Sequence, residues 1–475
     1  MKKIIKRVYS KITRTFELNK IAIKLSSTKS ISKKEAKFEL KNAKKMGFNV
    51  NEYFEKGLYE LELSDKEEFL KYKKLKQERS KISSDFYTDI AIMRSGLSKS
   101  KIKTDMNLAR IMGISNLKYV QKCVWSLNES ERKKLSKFLI KDKERIAKNK
   151  KKYVSTVMEK TGWARGKTEL EILKSSAICG ASYEDYCSFR LYEIPLKKHS
   201  EYITLDMFDK MRLKYNEHFT AKEFFDDKAK FNETFSDLIN RSWFVNKNLS
   251  YEEFEKNISS LKDILVKPLS STKGMGIKKY KCGKSKKARK ELYEELINLP
   301  ESIIEEYIVQ HKDVMKFCPT SVNTVRITTI YHNNKCKFLY AVFRMGQGDV
   351  VDNFHAGGIA ATIDVKTGIV VSNASDLNGN VFSKNPYSKL KIKGFKIPHW
   401  DKIISTCKKA SNRVDGVSLI GWDFAITENG VELIEGNPGV SYVLAQIPNI
   451  EDRIGLSPVM VKPYLEEKYY LQKIK

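Results

Sequence analysis

The chain has 475 residues, of which 41% are hydrophobic and 11% aromatic, and its formal net charge is +31 at pH 7. This length and composition predict two or three domains with sizeable cores, and they exclude a chain that is disordered throughout. No apolar run is long enough to span a bilayer, and the basic N-terminus lacks the apolar stretch of a secretory signal.

The basic excess is open to more than one interpretation. It consists mostly of Lys spread among many Ile and Asn residues, as an A/T-rich genome would encode. It can also form a surface that contacts an anionic membrane or polysaccharide, and a basic amphipathic helix over residues 1–17 would suit a membrane surface. No zinc-finger spacing or aromatic nucleic-acid-binding motif is present, so no specific nucleic-acid partner is predicted.

The seven cysteines form no C-x-x-C pair. Isolated thiols of this kind are typical of a reducing compartment. We therefore expect a cytoplasmic protein, with the inner face of the membrane as the alternative setting.

Residues 1–205 are predicted to form a mostly α-helical region. Lys34–Met46 and Glu129–Lys148 are rich in Lys, Glu, Leu and Ala and contain no Pro. Gly47–Leu70 aligns without gaps to Gly180–Ile203, and both stretches contain G-x4-[ED]-Y-x4-LYE. We expect a duplicated helical module with copies near residues 35–70 and 168–203, and chance similarity between two acidic, aromatic helices is the alternative.

The pattern changes from residue 260 onward to that of an α+β domain. Runs of β-branched and aromatic residues bounded by turn residues predict five strands: Ile264–Lys267, Ile303–Val309, Thr324–Tyr331, Lys337–Met345 and Ile359–Val365. Helical patterns intervene at Ser285–Asn298 and His399–Asp415. This order does not fit a tandem βαβ array.

The segment Gly421–Gly439, GWDFAITENGVELIEGNPG, predicts a β-hairpin with paired acids. A three-residue loop over 428–430 would place Asp423 opposite Glu435, about 5 Å apart on one face, whereas a two-residue Asn-Gly turn would shift this register by one. A hard cation between the two carboxylates would convert their repulsion into coordination, and Asn437 could add an amide oxygen. These three oxygen ligands suit Mg²⁺. A hairpin with merely exposed acids is the alternative.

A second segment, Val266–Ile277, has the character of a phosphate-binding loop. A strand ends at Lys267 and a Ser/Thr/Gly-rich loop follows, so backbone amides and a fixed cation can hold phosphate oxygens. A Walker A loop is excluded, because Gly283-Lys284-Ser285 lacks the preceding glycine that this motif requires. Acids inside the strand-like run 304–309 fit either an exposed edge strand or nucleotide binding.

These segments, in this order, resemble the ATP-grasp superfamily, and most closely its sugar-transfer-associated branch, which is found with bacterial cell-surface polysaccharide genes. The resemblance covers about residues 205–465 and is carried by VKPLSSTKGMGI, EEYIVQH, NTVRITTI and GWDFAI…VELIEGNPG. It implies that residues 206–475 form a catalytic ATP-grasp domain, in which two α+β lobes clasp ATP and Mg²⁺.

The same resemblance implies roles for individual residues. Nucleotide-binding positions would be Lys267 at the phosphates, Gly274 and Gly276 in a mobile loop, Lys228 (with Lys230 as its rival) on the first lobe, Glu305, Glu306 and Ile308 at adenine, and Asp313 at the ribose. The magnesium ligands would be Asp423, Glu435 and Asn437.

Substrate-facing positions are implied in the same way. Arg326 is similar to an arginine that faces the substrates. Arg344, Asn353, His355 and the glycines at 357–358 are similar to an R-x-N-x-H-x-G-G-like stretch of ligases that add glutamate to proteins. A structural role for His355 is the alternative.

Taken together, these features predict an ATP- and Mg²⁺-dependent carboxylate–amine ligase. It would form an amide through an acyl phosphate during modification of a surface polysaccharide, with small-molecule or sugar-linked carboxylate and amine substrates. The alternatives are an ATP-dependent phosphotransferase on the same fold and a non-catalytic protein that binds an anionic polymer.

Overall fold

The computed structural model describes residues 17–216, 223–269, 276–348, 354 and 357–471. The predicted helix over residues 1–17 falls almost entirely outside them. The chain divides into two compact units, Met1–Ser200 together with Glu467–Lys475, and Glu201–Glu466; the sequence places this boundary after residue 205. Within the described part of the chain, no helix combines the length and apolarity needed to cross a bilayer.

The first unit is helical, and it contains three copies of one module where the sequence comparison predicts two. Residues 17–29 are helical. Each copy consists of a helix, a short helix and a single 3₁₀ turn. The copies are α1 (Lys33–Lys45), α2 (Val50–Glu55) and Leu58–Glu60; α4 (Lys99–Ile111), α5 (Asn116–Gln121) and Val124–Ser126; and α7 (Arg165–Cys179), α8 (Tyr183–Ser188) and Leu191–Glu193.

Two 33-residue helices connect successive copies, α3 (Leu63–Ser95) and α6 (Glu129–Thr161). The predicted helix from Glu129 therefore continues well beyond Lys148, to a glycine at position 162 with φ +72° that ends it. The residues that precede the first helix of each copy lie 66 apart, at positions 32, 98 and 164. The module is thus repeated at a constant interval, which is the signature of a tandem array. A last short helix, α18 (Glu467–Tyr470), also belongs to this unit.

The three copies share a few local determinants and little else. In each, a glycine with positive φ ends the first helix, an Asn or Ser side chain caps the short helix, and a tyrosine on that short helix is buried: Gly47, Asn49 and Tyr53; Gly113, Ser115 and Tyr119; Gly180, Ser182 and Tyr186. The middle copy lacks the LYE triplet and has Val124-Trp125-Ser126 in its place. Sequence identity therefore does not reveal it, although its backbone repeats the module.

The second unit has the α+β organisation that the sequence predicts. A small sheet has the order β1-β4-β2-β3, with β1 (Trp243–Val245), β2 (Asp263–Pro268), β3 (Lys278–Lys281) and β4 (Ser302–Glu306). A larger sheet has the order β11-β10-β5-β6-β7-β8-β9, with β5 (Thr324–His332), β6 (Lys335–Met345), β7 (Ile359–Ile363), β8 (Ala374–Ser375), β9 (Val381–Phe382), β10 (Leu419–Thr427) and β11 (Gly430–Asn437). Every neighbouring pair in both sheets is antiparallel.

Helices of this unit pack beside both sheets. They are α9 (Leu205–Tyr215), α10 (Glu223–Asp226), α11 (Lys228–Thr234), α12 (Tyr251–Ile258), α13 (Lys286–Ile297), α14 (Lys312–Met315), α15 (Trp400–Ala410), α16 (Tyr442–Gln446) and α17 (Ser457–Met460). The five strands and two helices predicted from the sequence are confirmed; β2, β5 and β6 are slightly longer than predicted, and the other elements are shorter. Among the strands the largest difference is at β4, which stops at Glu306 because the chain then crosses to the large sheet, where the His311 N–H donates to the Ile426 carbonyl at 2.7 Å.

Each sheet has its own apolar core. In the small sheet, Ile264, Val266 and Ile304 pack against Phe254 of α12 and Leu296 of α13. In the large sheet, apolar residues of the central strands pack with α11 and α15 around the fully buried Trp422. The polar faces of the two sheets carry the groups described next.

Candidate nucleotide and metal site

The β10–β11 hairpin pairs Asp423 with Glu435, as the sequence predicts, but through a different loop. Thr427 lies opposite Gly430, so the loop has two residues, 428 and 429, rather than the predicted three. A register shift between Asp423 and Phe424 restores the predicted pairing, because Phe424 pairs with Leu433 and leaves residue 434 as a β-bulge. The acid pair therefore depends on a β-bulge that the hairpin predicted from the sequence does not contain.

Asp423 is the most heavily engaged acid of this site, and its side chain is only 4% exposed. Arg326 on the adjacent strand β5 binds both of its carboxylate oxygens, and the contact from Nη2 to Oδ2 measures 2.6 Å. Arg344 on β6 donates from Nη1 to Oδ2 at 2.9 Å. Burial alone would raise the pKa of Asp423, but the charges of the two arginines outweigh burial and hold this pKa well below its usual range.

Glu435 and Asn437 complete the group on β11. The Asn437 side-chain nitrogen donates to Glu435 Oε1 at 2.9 Å, which leaves the amide oxygen as the atom suited to a cation. Desolvation and the neighbouring Asp423 carboxylate raise the pKa of Glu435, while Arg326 and Asn437 oppose this. The Glu435 side chain is about half exposed, so it can be reached from solvent.

These three residues fit a hard divalent cation. They supply oxygen ligands from two carboxylates and one amide, and Mg²⁺ is commonly held by one or two carboxylates together with substrate phosphates. Among the described residues, no three His, Cys, Asp or Glu side chains form a larger cluster that would compete for the metal.

A buried ionic network lies beneath the small sheet. Glu305 on β4, only 3% exposed, forms an ion pair with Lys267 of β2 and accepts from Arg241 Nη2 at 2.6 Å. Asn232 of α11 donates to the same carboxylate at 3.0 Å. Burial would raise the pKa of Glu305, but the charges of Lys267 and Arg241 dominate and hold it well below its usual range.

Arg241 also reaches the large sheet. Its Nη1 donates to the Leu433 carbonyl at 2.7 Å and lies 3.5 Å from Glu432. One buried guanidinium therefore joins the strand that carries Glu305 to the strand that carries Glu435. Sequence reasoning missed Arg241, Asn232 and Glu432, because nothing in the segment around Arg241 distinguishes it from the other basic residues of this lysine-rich chain.

Lys228 lies between these two groups. Its Nζ donates to the backbone carbonyls of Pro268 and Leu269, at 3.1 and 3.2 Å, and so contacts the start of the proposed phosphate loop. Desolvation lowers the pKa of Lys228, and the nearby charges of Glu435, Lys267 and Glu305 act on it as well. Its rival Lys230 lies two residues further along α11 and is exposed.

The glycine loop is described only in part. Gly274 lies outside the described residues. Gly276 has φ +78°, and an added Cβ would lie 2.9 Å from Pro268 Cγ, so a glycine is required at this position.

The predicted adenine strand passes from one sheet to the other. β4 lies between β1 and β2, so the alternative of an exposed edge strand is wrong. Glu306 and Tyr307 donate their N–H groups to neighbouring strands, whereas within the described chain the N–H groups of Ile308 and Val309 donate to no protein group. Their backbone is therefore available to a ligand, as the predicted adenine contact requires.

Asp313 lies apart from the ionic groups described above. It is on α14, where it pairs with Lys316 at 2.8 Å, and 42% of its side chain is exposed. Asn353 and His355 lie outside the described residues. Gly357 is described, and its carbonyl accepts a hydrogen bond from Gln347 at 2.6 Å.

The structure thus brings eight of the predicted residues into one connected region: Lys228, Lys267, Glu305, Arg326, Arg344, Asp423, Glu435 and Asn437. Four cations and three carboxylates alternate there. Such a region can hold a polyanion that arrives with a divalent cation, because fixed positive charges stabilise phosphate oxygens and the acids bind the metal.

Comparison with known proteins agrees with this geometry. The family described as sugar-transfer associated ATP-grasp matches residues 207–459, more than half of the chain. No curated protein is significantly similar to the chain.

Solved structures with low overall similarity to this chain include three enzymes. The ATP-grasp ligase PsnB complexed with a precursor variant, Mg and ADP is 12% identical with a TM-score of 0.29, and the match covers 50% of this chain and 60% of that one. N5-carboxyaminoimidazole synthetase from Staphylococcus aureus complexed with ADP is 14% identical with a TM-score of 0.30, and the match covers 46% of each chain. D-alanine-D-alanine ligase from Helicobacter pylori is 15% identical with a TM-score of 0.28, and the match covers 50% of this chain and 61% of that one. The chain covers less than two thirds of the length of each.

Proposed function

Because the chain belongs to the sugar-transfer associated ATP-grasp family, we propose that it is an ATP-dependent carboxylate–amine ligase that forms an amide through an acyl phosphate. Its substrates would be a small-molecule or sugar-linked carboxylate and an amine. We further propose that it acts in the cytoplasm, where a surface polysaccharide or its precursor is modified.

One observation carries this proposal: Arg326 and Arg344 converge on Asp423, which is paired in register with Glu435. Activation of a carboxylate brings that anion up to the terminal phosphate of ATP, and both groups are negative. Fixed cations that point at the reacting oxygens reduce this repulsion and stabilise charge during transfer. Residues at the junction of three adjacent strands are rigid enough to position both reactants.

Each residue then has a definable task. Lys228 and Lys267 would hold phosphate oxygens, and the backbone of Ile308 would contact the base. Asp423, Glu435 and Asn437 would hold Mg²⁺, which when bound neutralises phosphate charge and aligns the phosphoryl group. Arg326 and Arg344 would orient the carboxylate substrate. No covalent protein nucleophile is needed for this reaction.

The test is ADP release from Mg-ATP in the presence of sugar acids and amino acids, each with and without amino sugars. A ligase releases ADP and free phosphate only when both a carboxylate and an amine are present. ADP release without an amine, with phosphate retained on the acceptor, would instead identify the phosphotransferase. Absence of turnover with every pair would leave only polymer binding, which should then be unaffected by loss of Asp423.

Two variants link this activity to the site. Glu435→Gln and Asp423→Asn should each reduce ADP release by at least about a hundredfold, because removal of one preorganised charge costs about 3 kcal/mol in a transition state. Thermal melts must first show that each variant is folded. Turnover near the wild-type rate in both folded variants would refute the metal assignment.

A further inference from the structure

The helical unit contains a second charged cluster, remote in sequence from the nucleotide site. It lies where the first and third copies of the module meet the two long helices. Lys56 at the end of α2, Lys73 and Lys76 on α3, and Lys150 on α6 contribute four ammonium groups. The acids within the same cluster are Glu52 and Glu169.

Direct contacts connect most of these groups. Lys56 lies 3.0 Å from Glu52 and 3.7 Å from Glu169, and Lys73 also pairs with Glu52. Glu169 is only 2% exposed and accepts a hydrogen bond from Tyr183 at 2.7 Å. Both acids are therefore already occupied by Lys56, Lys73 and Tyr183.

The remaining two lysines have no such partner. Among the described residues, neither Lys76 nor Lys150 forms an ion pair, and the Lys150 ammonium instead lies over the Tyr183 ring, 4.3 Å from its centroid. Lys73 and Lys76 are three residues apart on α3, so they share one face of that helix. Lys76 is accessible to solvent, which leaves this face open to a ligand.

The electrostatic state of the cluster agrees with this geometry. The protein atoms around Lys76 and the charges of Lys56 and Lys150 lower its pKa, although its side chain is exposed, while Glu169 and Glu52 act in the opposite direction. Desolvation also lowers the pKa of Lys150; Glu169 acts in the opposite direction, and Lys56 and Arg165 act in the same direction as desolvation. The cluster therefore has four ammonium groups for two carboxylates, and a bound anion would offset this excess of positive charge.

From this cluster we propose that the junction of the first and third modules binds a phosphate-bearing anion, with Lys76 and Lys150 as its principal contacts. Several converging ammonium groups favour the high charge density of a phosphate dianion or a diphosphate over a single carboxylate, since Lys acts as a point charge toward phosphate. The phosphate can belong to a soluble sugar phosphate or to a lipid headgroup. The site does not depend on the function proposed for the other unit.

Calorimetric titration of the full chain with inorganic pyrophosphate tests this site. Lys76→Gln and Lys150→Gln should each weaken binding by about tenfold or more, the loss expected for a contact with a charged group. Lys81→Gln, an equally charged change at an exposed position of the same helix, should bind like wild type. Lys267→Ala, which alters only the nucleotide site, should retain this binding event.

Two further measurements separate a binding role from a structural one. Because neither lysine is ion-paired, both Gln variants should melt at or above the wild-type temperature. Anion binding favours the charged form of Lys76, so at pH 8 pyrophosphate binding should take up more protons, or release fewer, in the wild type than in Lys76→Gln. Equal pyrophosphate affinity for Lys76→Gln and Lys81→Gln, or loss of all binding in Lys267→Ala, would overturn the proposal.

Sedimentation with vesicles identifies the source of the phosphate. Binding to phosphatidylcholine vesicles that contain phosphatidylglycerol, lost in Lys76→Gln, would assign the site to a lipid headgroup. Pyrophosphate binding without any such vesicle binding would assign it to a soluble phosphate. Vesicle binding that is identical in Lys76→Gln and Lys81→Gln, without pyrophosphate binding, would reflect only the general basic charge and would overturn the site.

Discussion

The buried carboxylate of Glu305 offers a sharp test of how the nucleotide site is held together. This side chain receives Lys267, Arg241 and Asn232 in one enclosed space. Glu305→Gln preserves the shape of the side chain and removes its charge, so two buried cations lose their common counterion. Breaking a buried pair by removing one partner costs about 3–5 kcal/mol. For a unit of this size, that loss corresponds to a decrease in Tm on the order of 10 °C.

Calorimetric melts of Glu305→Gln and of Glu306→Gln provide the comparison. Glu306 is the next residue on the same strand, but it is only partly buried, and its side chain accepts from the Ser242 N–H at 3.2 Å. We expect less than about 1 kcal/mol from the change at 306, which is typical of an exposed contact. Equal losses in the two variants would refute the claim that the Glu305 network is the main ionic support of the site.

The pH dependence of this effect has a definite sign. The pKa of Glu305 is lowered in the folded protein, so its contribution to stability is present above the unfolded-state pKa and is lost as the pH falls toward the folded value. The difference in stability between wild type and Glu305→Gln should therefore be full near neutral pH and decrease in acid. A difference that grows on acidification would contradict the assigned charge state.

Two further outcomes concern ligands. The raised pKa of Glu435 means that protons compete with the cation, so Mg²⁺-induced stabilisation of the wild-type protein should weaken as the pH falls through that pKa. Glu435→Gln also removes the repulsion with Asp423, so without Mg²⁺ this variant should melt no lower than the wild type. Addition of Mg²⁺ should raise its melting temperature only slightly. Lys267→Ala should weaken Mg-ATP binding by about 1.5–3 kcal/mol, the value of a hydrogen bond to a charged group. Lys230→Ala, at an exposed position of α11, should change it much less. Equal losses for the two lysine variants in calorimetric titration would show that the phosphate lysine is misassigned.

Much of the second unit could be predicted from the sequence because its determinants are local. Strand β5 and helix α13 follow directly from β-branched and amphipathic patterns, and the acid pair on β10 and β11 follows from a hairpin with short separation in the chain. Short-range registers have few alternatives, so a pattern in one segment predicts them well. Even so, the predicted loop was wrong, and the right pairing arises only because a bulge at residue 434 compensates for it.

Other features depend on residues far apart in the chain. Arg241 meets Glu305 and Leu433 across separations of 64 and 192 residues, and no local pattern predicts that one arginine among many will be buried there. Arg344 likewise reaches Asp423 only because β5 pairs with both of their strands, β6 and β10, and so brings them close together in the sheet.

The helical unit shows the same division. Its sequence alone determined that it is helical and that a module recurs. Gly47 and Gly180 each end a helix, and each is followed six residues later by a tyrosine, Tyr53 or Tyr186. The third copy was revealed only by the tertiary structure, because a helix end, a capped short helix and one buried tyrosine can be encoded by almost entirely different residues. The lysine cluster is also a product of tertiary structure, since it assembles only when the first and third modules pack against the two long helices, which bring Lys56, Lys76 and Lys150 together from distant parts of the chain.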